Sequence, residues 1–131
     1  MNAKKLILLI VVAIILIFLL ILALKFYFEL RNYRKQIENI QTTDVDLMNI
    51  KDGVYQGSYK TALVSAKVEV TVKDHKIINI KILEHLNGQG KRAEVIVEKV
   101  INEQKLKVDV ISGATASSKV ILKAIENALS K

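Results

Sequence analysis

The stretch Asp109-Val110-Ile111-Ser112-Gly113-Ala114-Thr115-Ala116-Ser117-Ser118 holds the residue types in this chain best suited to chemistry. Its pattern predicts a strand that runs through small residues into a helix, with Ser117 as the N-cap and Lys119 in the first turn. The leading amides of such a helix have no intrahelical partner and aim at whatever lies in front of them. That makes an anion site suited to a phosphate. Gly113 and Ala114 leave room for a close approach, and Thr115 supplies a hydroxyl at the same spot. The same residues also describe an ordinary glycine turn with a serine cap.

Other chemistry has little support. The chain has two histidines, His75 and His85, and neither sits in a metal-ligand spacing. His75 falls in a turn and reads as a solvated side chain. His85 ends a strand beside Asn87-Gly88-Gln89-Gly90, where it is either a ligand contact or surface filler. No Walker A sequence, Gly-x-Ser-x-Gly elbow or carboxylate pair is present. With no cysteine, a lipoprotein anchor, a disulfide and a thiolate metal site are excluded.

The elements that must position the candidate turn begin near Lys51. Val54 to Tyr59 predicts a short strand punctuated by Gly53 and Gly57. Val64, Ala66, Val68, Val70 and Val72 then alternate with Ser65, Lys67, Glu69 and Thr71, a half-buried strand rich in β-branched residues. Asp74-His75-Lys76 turns the chain into a return strand with Ile78, Ile80 and Ile82 on one face. Glu84 to Lys91 reads as a loop containing Gly88 and Gly90. A helix follows from Arg92 to about Gln104, with Ala93, Ile96, Val97, Val100 and Ile101 inward. After a short segment, Leu106 to Ile111, the last helix runs from about Ser117 to Leu129. The fold class is therefore α+β: an antiparallel sheet with two helices packed on it, preceded by one transmembrane helix.

That preceding helix comes from Leu6 to Leu24, an unbroken run of nineteen apolar residues. As a helix it would be roughly 28 Å long, about the thickness of a bilayer's hydrocarbon core. The run is longer than a secretory signal's apolar core and lacks a small-x-small cleavage site, which favours an uncleaved anchor. Phe26, Leu30, Tyr33, Ile37 and Ile40 continue a helical seam beyond it. Two heptads suit a short stalk and also allow a dimerising one. The expected organisation is an anchor over residues 1–25, a stalk and linker over 26–50, and a folded domain over 51–131.

Charge bears on orientation and partners. Lys4 and Lys5 precede the span, whereas Lys25, Arg31, Arg34 and Lys35 follow it, a count that favours a cytoplasmic domain. From residue 51 onward the domain has fourteen Lys and Arg against nine Asp and Glu. These charges are scattered and aromatics are few, so nucleic-acid binding is disfavoured. A basic tethered surface leaves open a non-redox binding domain for anionic polymer or lipid head groups.

Three stretches in order resemble the FMN-binding domain family. They are Asp52-Gly53-Val54-Tyr55-Gln56-Gly57, the hairpin of Val68 to Lys73 with Lys76-Ile77, and Asp109-x-x-Ser112-Gly113-Ala114-Thr115. The resemblance covers about Asp52 to Leu129. It implies that Thr115 is the residue a flavin transferase modifies, its hydroxyl forming a phosphoester with FMN delivered from FAD. The small residues before Thr115 would let the transferase seat it. Around the cofactor the resemblance and sequence proximity suggest Asp109, Ser112, Gly113, Ala114, Ser117, Ser118, His85, Gly88 and Gly90, with Tyr55 and Tyr59 as either walls or core residues. Non-covalent FMN in the same place is the alternative. Where many relatives have a glycine-rich G-Y-x-G stretch, this chain has Lys60-Thr61-Ala62-Leu63-Val64. The family acts outside the cytoplasm in most bacteria, so the resemblance implies a single-pass cell-membrane protein with an extracytoplasmic domain. Its role would be electron relay to or from a partner protein or quinone, as a carrier more than an enzyme with its own substrate.

Overall fold

Period-two hydrophobicity gives the domain its sheet. In the computed structural model, which describes residues 2–86 and 90–130, three strands form an antiparallel sheet in the order β1-β2-β3. β1 is Gly53–Lys60, β2 Ser65–Lys73 and β3 Lys76–Leu86. β2 lies in the middle with its valines fully inward: Val68, Val70 and Val72 are all but inaccessible to solvent. Its other face carries Ser65, Lys67, Glu69 and Thr71, which stay half-buried beside the flanking strands.

The turn between β2 and β3 is two residues long, with Lys73 paired to Lys76. Asp74 and His75 both have positive φ, 52° and 61°, as the twist-compatible I′ turn requires. The Asp74 amide donates to the Asp52 carboxylate at 2.9 Å, which fixes the turn against the start of β1.

The face expected for β3 needs correcting. Ile78 is more than half exposed, whereas Ile77 and Ile80 are buried. The register slips between Thr71 and Val72 and again between Lys67 and Val68. Ile78 and Leu83 are the unpaired extra residues at the two slips, and each such bulge reverses the inward parity of the residues beyond it. β3 is also longer than expected, because Glu84, His85 and Leu86 continue the strand into the region expected to be a loop.

The helices pack on the valine face. α3, Thr115–Leu129, lies across β1 and β2, and Val120, Ile121, Ala124, Ile125 and Ala128 are its fully buried apolar residues. Gly57 makes this contact possible: a Cβ there would lie 2.3 Å from both the Ala124 carbonyl oxygen and the Ala128 amide. Helix backbone thus rests directly on strand backbone, and the Asn127 side chain donates to the Ser58 carbonyl at 2.9 Å beside it.

The other predicted helix is split. Lys91–Val95 is a 3₁₀ turn, and only Ile96–Glu103 is α-helical (α2). Gln104 ends α2 in the left-handed region at φ 55°. Its side-chain amide accepts from the Ile77 amide and donates to the Ile77 carbonyl, both at 2.8 Å. The segment from Leu106 to Ile111 has no strand pairing, contrary to the strand expected to lead into the final turn. Its first two amides, of Leu106 and Lys107, donate to the Asp44 carboxylate at 2.8 and 2.9 Å.

That contact comes from the stretch expected to be linker. The chain forms two compact units, Met1–Lys35 and Gln36–Lys131. Within the second, Ile37 and Ile40 are buried, and a 3₁₀ turn at Leu47–Asn49 precedes β1. Lys119 of α3 donates to the Ile37 carbonyl at 3.3 Å, and Lys123 to the Gln41 carbonyl at 3.1 Å. A cation is well placed there, because Ile37 lies in the final turn of a helix whose last carbonyls lack intrahelical partners. The departure at Lys60 to Val64 is a tight connection in which buried Thr61 accepts from the Val64 amide and donates to the Val64 carbonyl.

The first unit is helical from Ala3 onward. α1, Ala3–Asn39, starts in it and is long and apolar enough to cross a bilayer, with the apolar side chains of Leu6 to Leu24 open to the surroundings.

Candidate functional site

The turn before α3 is set by one backbone torsion. The Ala114 amide donates to the Ile111 carbonyl at 2.9 Å, closing four residues, and Gly113 adopts φ +76° at the third of them. That is the pattern of a type II turn, where glycine avoids the clash a Cβ would suffer. Ser118, with no solvent exposure, accepts from the Ile111 amide at 3.0 Å and so ties the turn to the helix beyond it.

α3 starts two residues earlier than expected, at Thr115. Ser117 is therefore not its N-cap. Ala114 occupies that position, with φ −137° and ψ 43°, and among the described residues no side chain caps the helix start. The first-turn amides consequently keep their donor capacity for something outside the helix. Thr115 is exposed at this end, as are Ser112 and Gly113, while Ala114, Ser117 and Ser118 are buried beneath them. Asp109 is exposed on the approach to the turn.

Ser117 has a different task. Its hydroxyl lies 3.1 Å from His85 Nε2, and His85 Nδ1 lies 3.4 Å from the Glu94 carboxylate. The His85 side chain is only 2% exposed, so its ring forms a buried link among the end of β3, the 3₁₀ turn and α3. Both ring nitrogens face protein groups. Gly90 precedes that 3₁₀ turn and accepts from the Ala93 amide at 2.9 Å. Gly88 lies outside the described residues. Tyr55 donates to the Lys51 carbonyl at 2.6 Å and lines a recess of about 270 Å³ with Asn49, Ile50, Lys51 and Leu129. Leu129 is the opposite end of α3 from Thr115, roughly 21 Å away at the usual helical rise.

One residue at the turn was not foreseen. A Cβ built on Gly113 would fall 1.8 Å from Arg92 Nη2, so the guanidinium lies against the bare α-carbon of Gly113. Arg92 is exposed, and no carboxylate among the described residues is within ion-pair distance of it. A signal for it existed in the composition. From residue 51 onward Arg92 is the lone arginine among thirteen lysines, and arginine is the residue whose planar fork matches phosphate oxygens.

The assembled site is a cationic, hydroxyl-bearing turn at an uncapped helix start. It can hold a singly or doubly charged oxyanion and present one nucleophilic oxygen beside it. A family model described as FMN-binding domain matches residues 65–130, about half the chain and all of the elements from β2 through α3. No curated protein matches.

Proposed function

Since the chain belongs to the FMN-binding domain family, we propose that it is a membrane-anchored electron carrier whose FMN is joined through its phosphate to Thr115. FMN is the cofactor of this domain. When bound, it supplies one- and two-electron redox chemistry, and the protein contributes tether, orientation and electrostatics.

The residues at the turn fit the phosphate end of that cofactor. Gly113 keeps the approach open, Arg92 lies over it, and the first-turn amides of α3 are uncapped. The observation that carries the reading is the exposed Thr115 side chain at this uncapped start. On this reading the Thr115 hydroxyl oxygen attacks the flavin-side phosphorus of FAD in the active site of a flavin transferase. Thr115 gives up its proton, a P–O bond of the pyrophosphate bridge breaks, and AMP leaves. Ser112, Gly113 and Ala114 keep bulk away from the incoming phosphorus. Ser118 holds the turn in shape through the Ile111 amide.

α1 supports the anchoring half of the proposal by its length and apolar composition. We place the domain outside the cytoplasm, with a flavin transferase and then a redox protein or membrane quinone as its partners. Tethering would hold the carrier at high effective concentration near such partners. The domain's positive charge would favour reduced, anionic flavin and draw acidic donors, an attraction that added salt weakens.

The test uses the full chain in detergent, produced with a flavin transferase, then denatured and read by in-gel fluorescence and intact mass. The expected result is a gain of one FMN less one water, abolished in Thr115→Ala. Yellow colour that washes out on denaturation would replace the covalent reading with a non-covalent one. Protein that takes up no flavin under any condition would sink both.

A further inference from the structure

We infer that Arg92 is a binding residue for the flavin phosphate, its guanidinium pairing with the phosphoester carried by Thr115; this rests on the attachment proposed above. The first support is position. Arg92 Nη2 lies against Gly113, two residues before Thr115, at the one place in the turn where no side chain stands between them. The second is uncompensated charge. Among the described residues no carboxylate pairs with Arg92 and no side chain caps the amides of α3. Two donor sets with the same preference for an anion therefore meet at one turn.

The third support is how the two segments are joined. Glu94 lies two residues past Arg92, and Ser117 two residues past Thr115. Buried His85 reaches both, at 3.4 and 3.1 Å. A single imidazole thus fixes the 3₁₀ turn that bears the cation to the helix turn that bears the hydroxyl. His85 in this arrangement is a positioning residue, holding the two halves of the cradle in place before any ligand arrives. A phosphate esterified to both threonine and ribityl keeps one negative charge, which one guanidinium offsets through its two-pronged donor face.

The experiment compares wild type with Arg92→Gln, Arg92→Lys, Lys91→Gln and Thr115→Ala as full chains in detergent, loaded by a flavin transferase. Two quantities are read: the rate of adduct formation by intact mass, and the ³¹P resonance of the loaded phosphoester as salt is raised. Arg92→Gln should load about tenfold more slowly, the size expected for one lost charge-assisted hydrogen bond. Once loaded, its ³¹P resonance should be displaced from that of wild type and insensitive to salt. Arg92→Lys should recover part of the rate, and Lys91→Gln should behave as wild type in both readings. Loading at the wild-type rate in Arg92→Gln overturns the inference. So does slow loading with an unchanged ³¹P resonance, since Arg92 would then be meeting the transferase and not the phosphate. An adduct that persists in Thr115→Ala overturns the attachment itself, an outcome distinct from either of these.

Discussion

Two helical starts in this domain meet the same problem and treat it differently. At Leu47–Asn49 the preceding Asp46 is extended, and its carboxylate accepts from the Met48 amide at 3.1 Å and from the Asn49 side chain at 2.6 Å. At Thr115–Leu129 the preceding residue is alanine, and among the described residues no side chain caps the first turn. Elsewhere the domain uses aspartates freely to satisfy backbone donors: Asp44 serves Leu106 and Lys107, and Asp52 serves Asp74. The first turn of α3, a fifteen-residue helix with nine buried residues, goes without. On the proposed reading the bare start of α3 leaves its donors for the phosphate, and the cap forgone is worth about 1 kcal/mol.

Three substitutions would put this contrast at risk. Gly113→Ala should have the largest effect, because alanine at φ +76° costs about 1–2 kcal/mol and its methyl would displace the Arg92 guanidinium. Urea denaturation should show the loss, and flavin loading should fall with it; unchanged loading would mean the turn's openness is irrelevant to attachment. Ala114→Ser should move the two properties in opposite directions. A hydroxyl at the capping position should add about 0.5–1 kcal/mol to stability while competing with the phosphate for the same amides. A lower loading rate in a more stable protein is the expected signature, and a rate that rises with stability would contradict it. Asp46→Ala should be the smallest, a loss of about 0.5 kcal/mol from an exposed cap, with loading untouched. If Asp46→Ala slowed loading as much as Gly113→Ala, the two starts would not be functionally separate.

Much of this domain was legible in its residue order, and the misses have physical causes. The valine alternation of β2 needs only the two-residue repeat of a strand, so its inward face was readable from residue types. β3 was misread because its two bulges sit at Ile78 and Leu83, apolar residues that look like any other member of an alternating pattern. A bulge depends on how the partner strand pairs, which one strand's sequence does not encode. Asp44 looked like linker because its role is to receive amides 62 and 63 residues away. At the candidate site, Thr115, Ser112 and Gly113 came from the local motif and lie together at the turn. The start of α3 was placed too late because Ser117 is a good capping type, yet its hydroxyl faces buried His85. Arg92 was missed because it is twenty-one positions from Gly113 and reaches it only through the fold.

The side chain of Gln104 has a consequence beyond α2. By engaging both main-chain groups of Ile77, it stands in for one residue of a fourth strand along the outer margin of the sheet. Open margins of this kind can recruit a neighbouring polypeptide and seed aggregates. On the proposed anchoring, copies held in one membrane would meet such neighbours often. One amide plug, next to the bulge at Ile78, interrupts the row of groups that a stranger could bind at the start of β3.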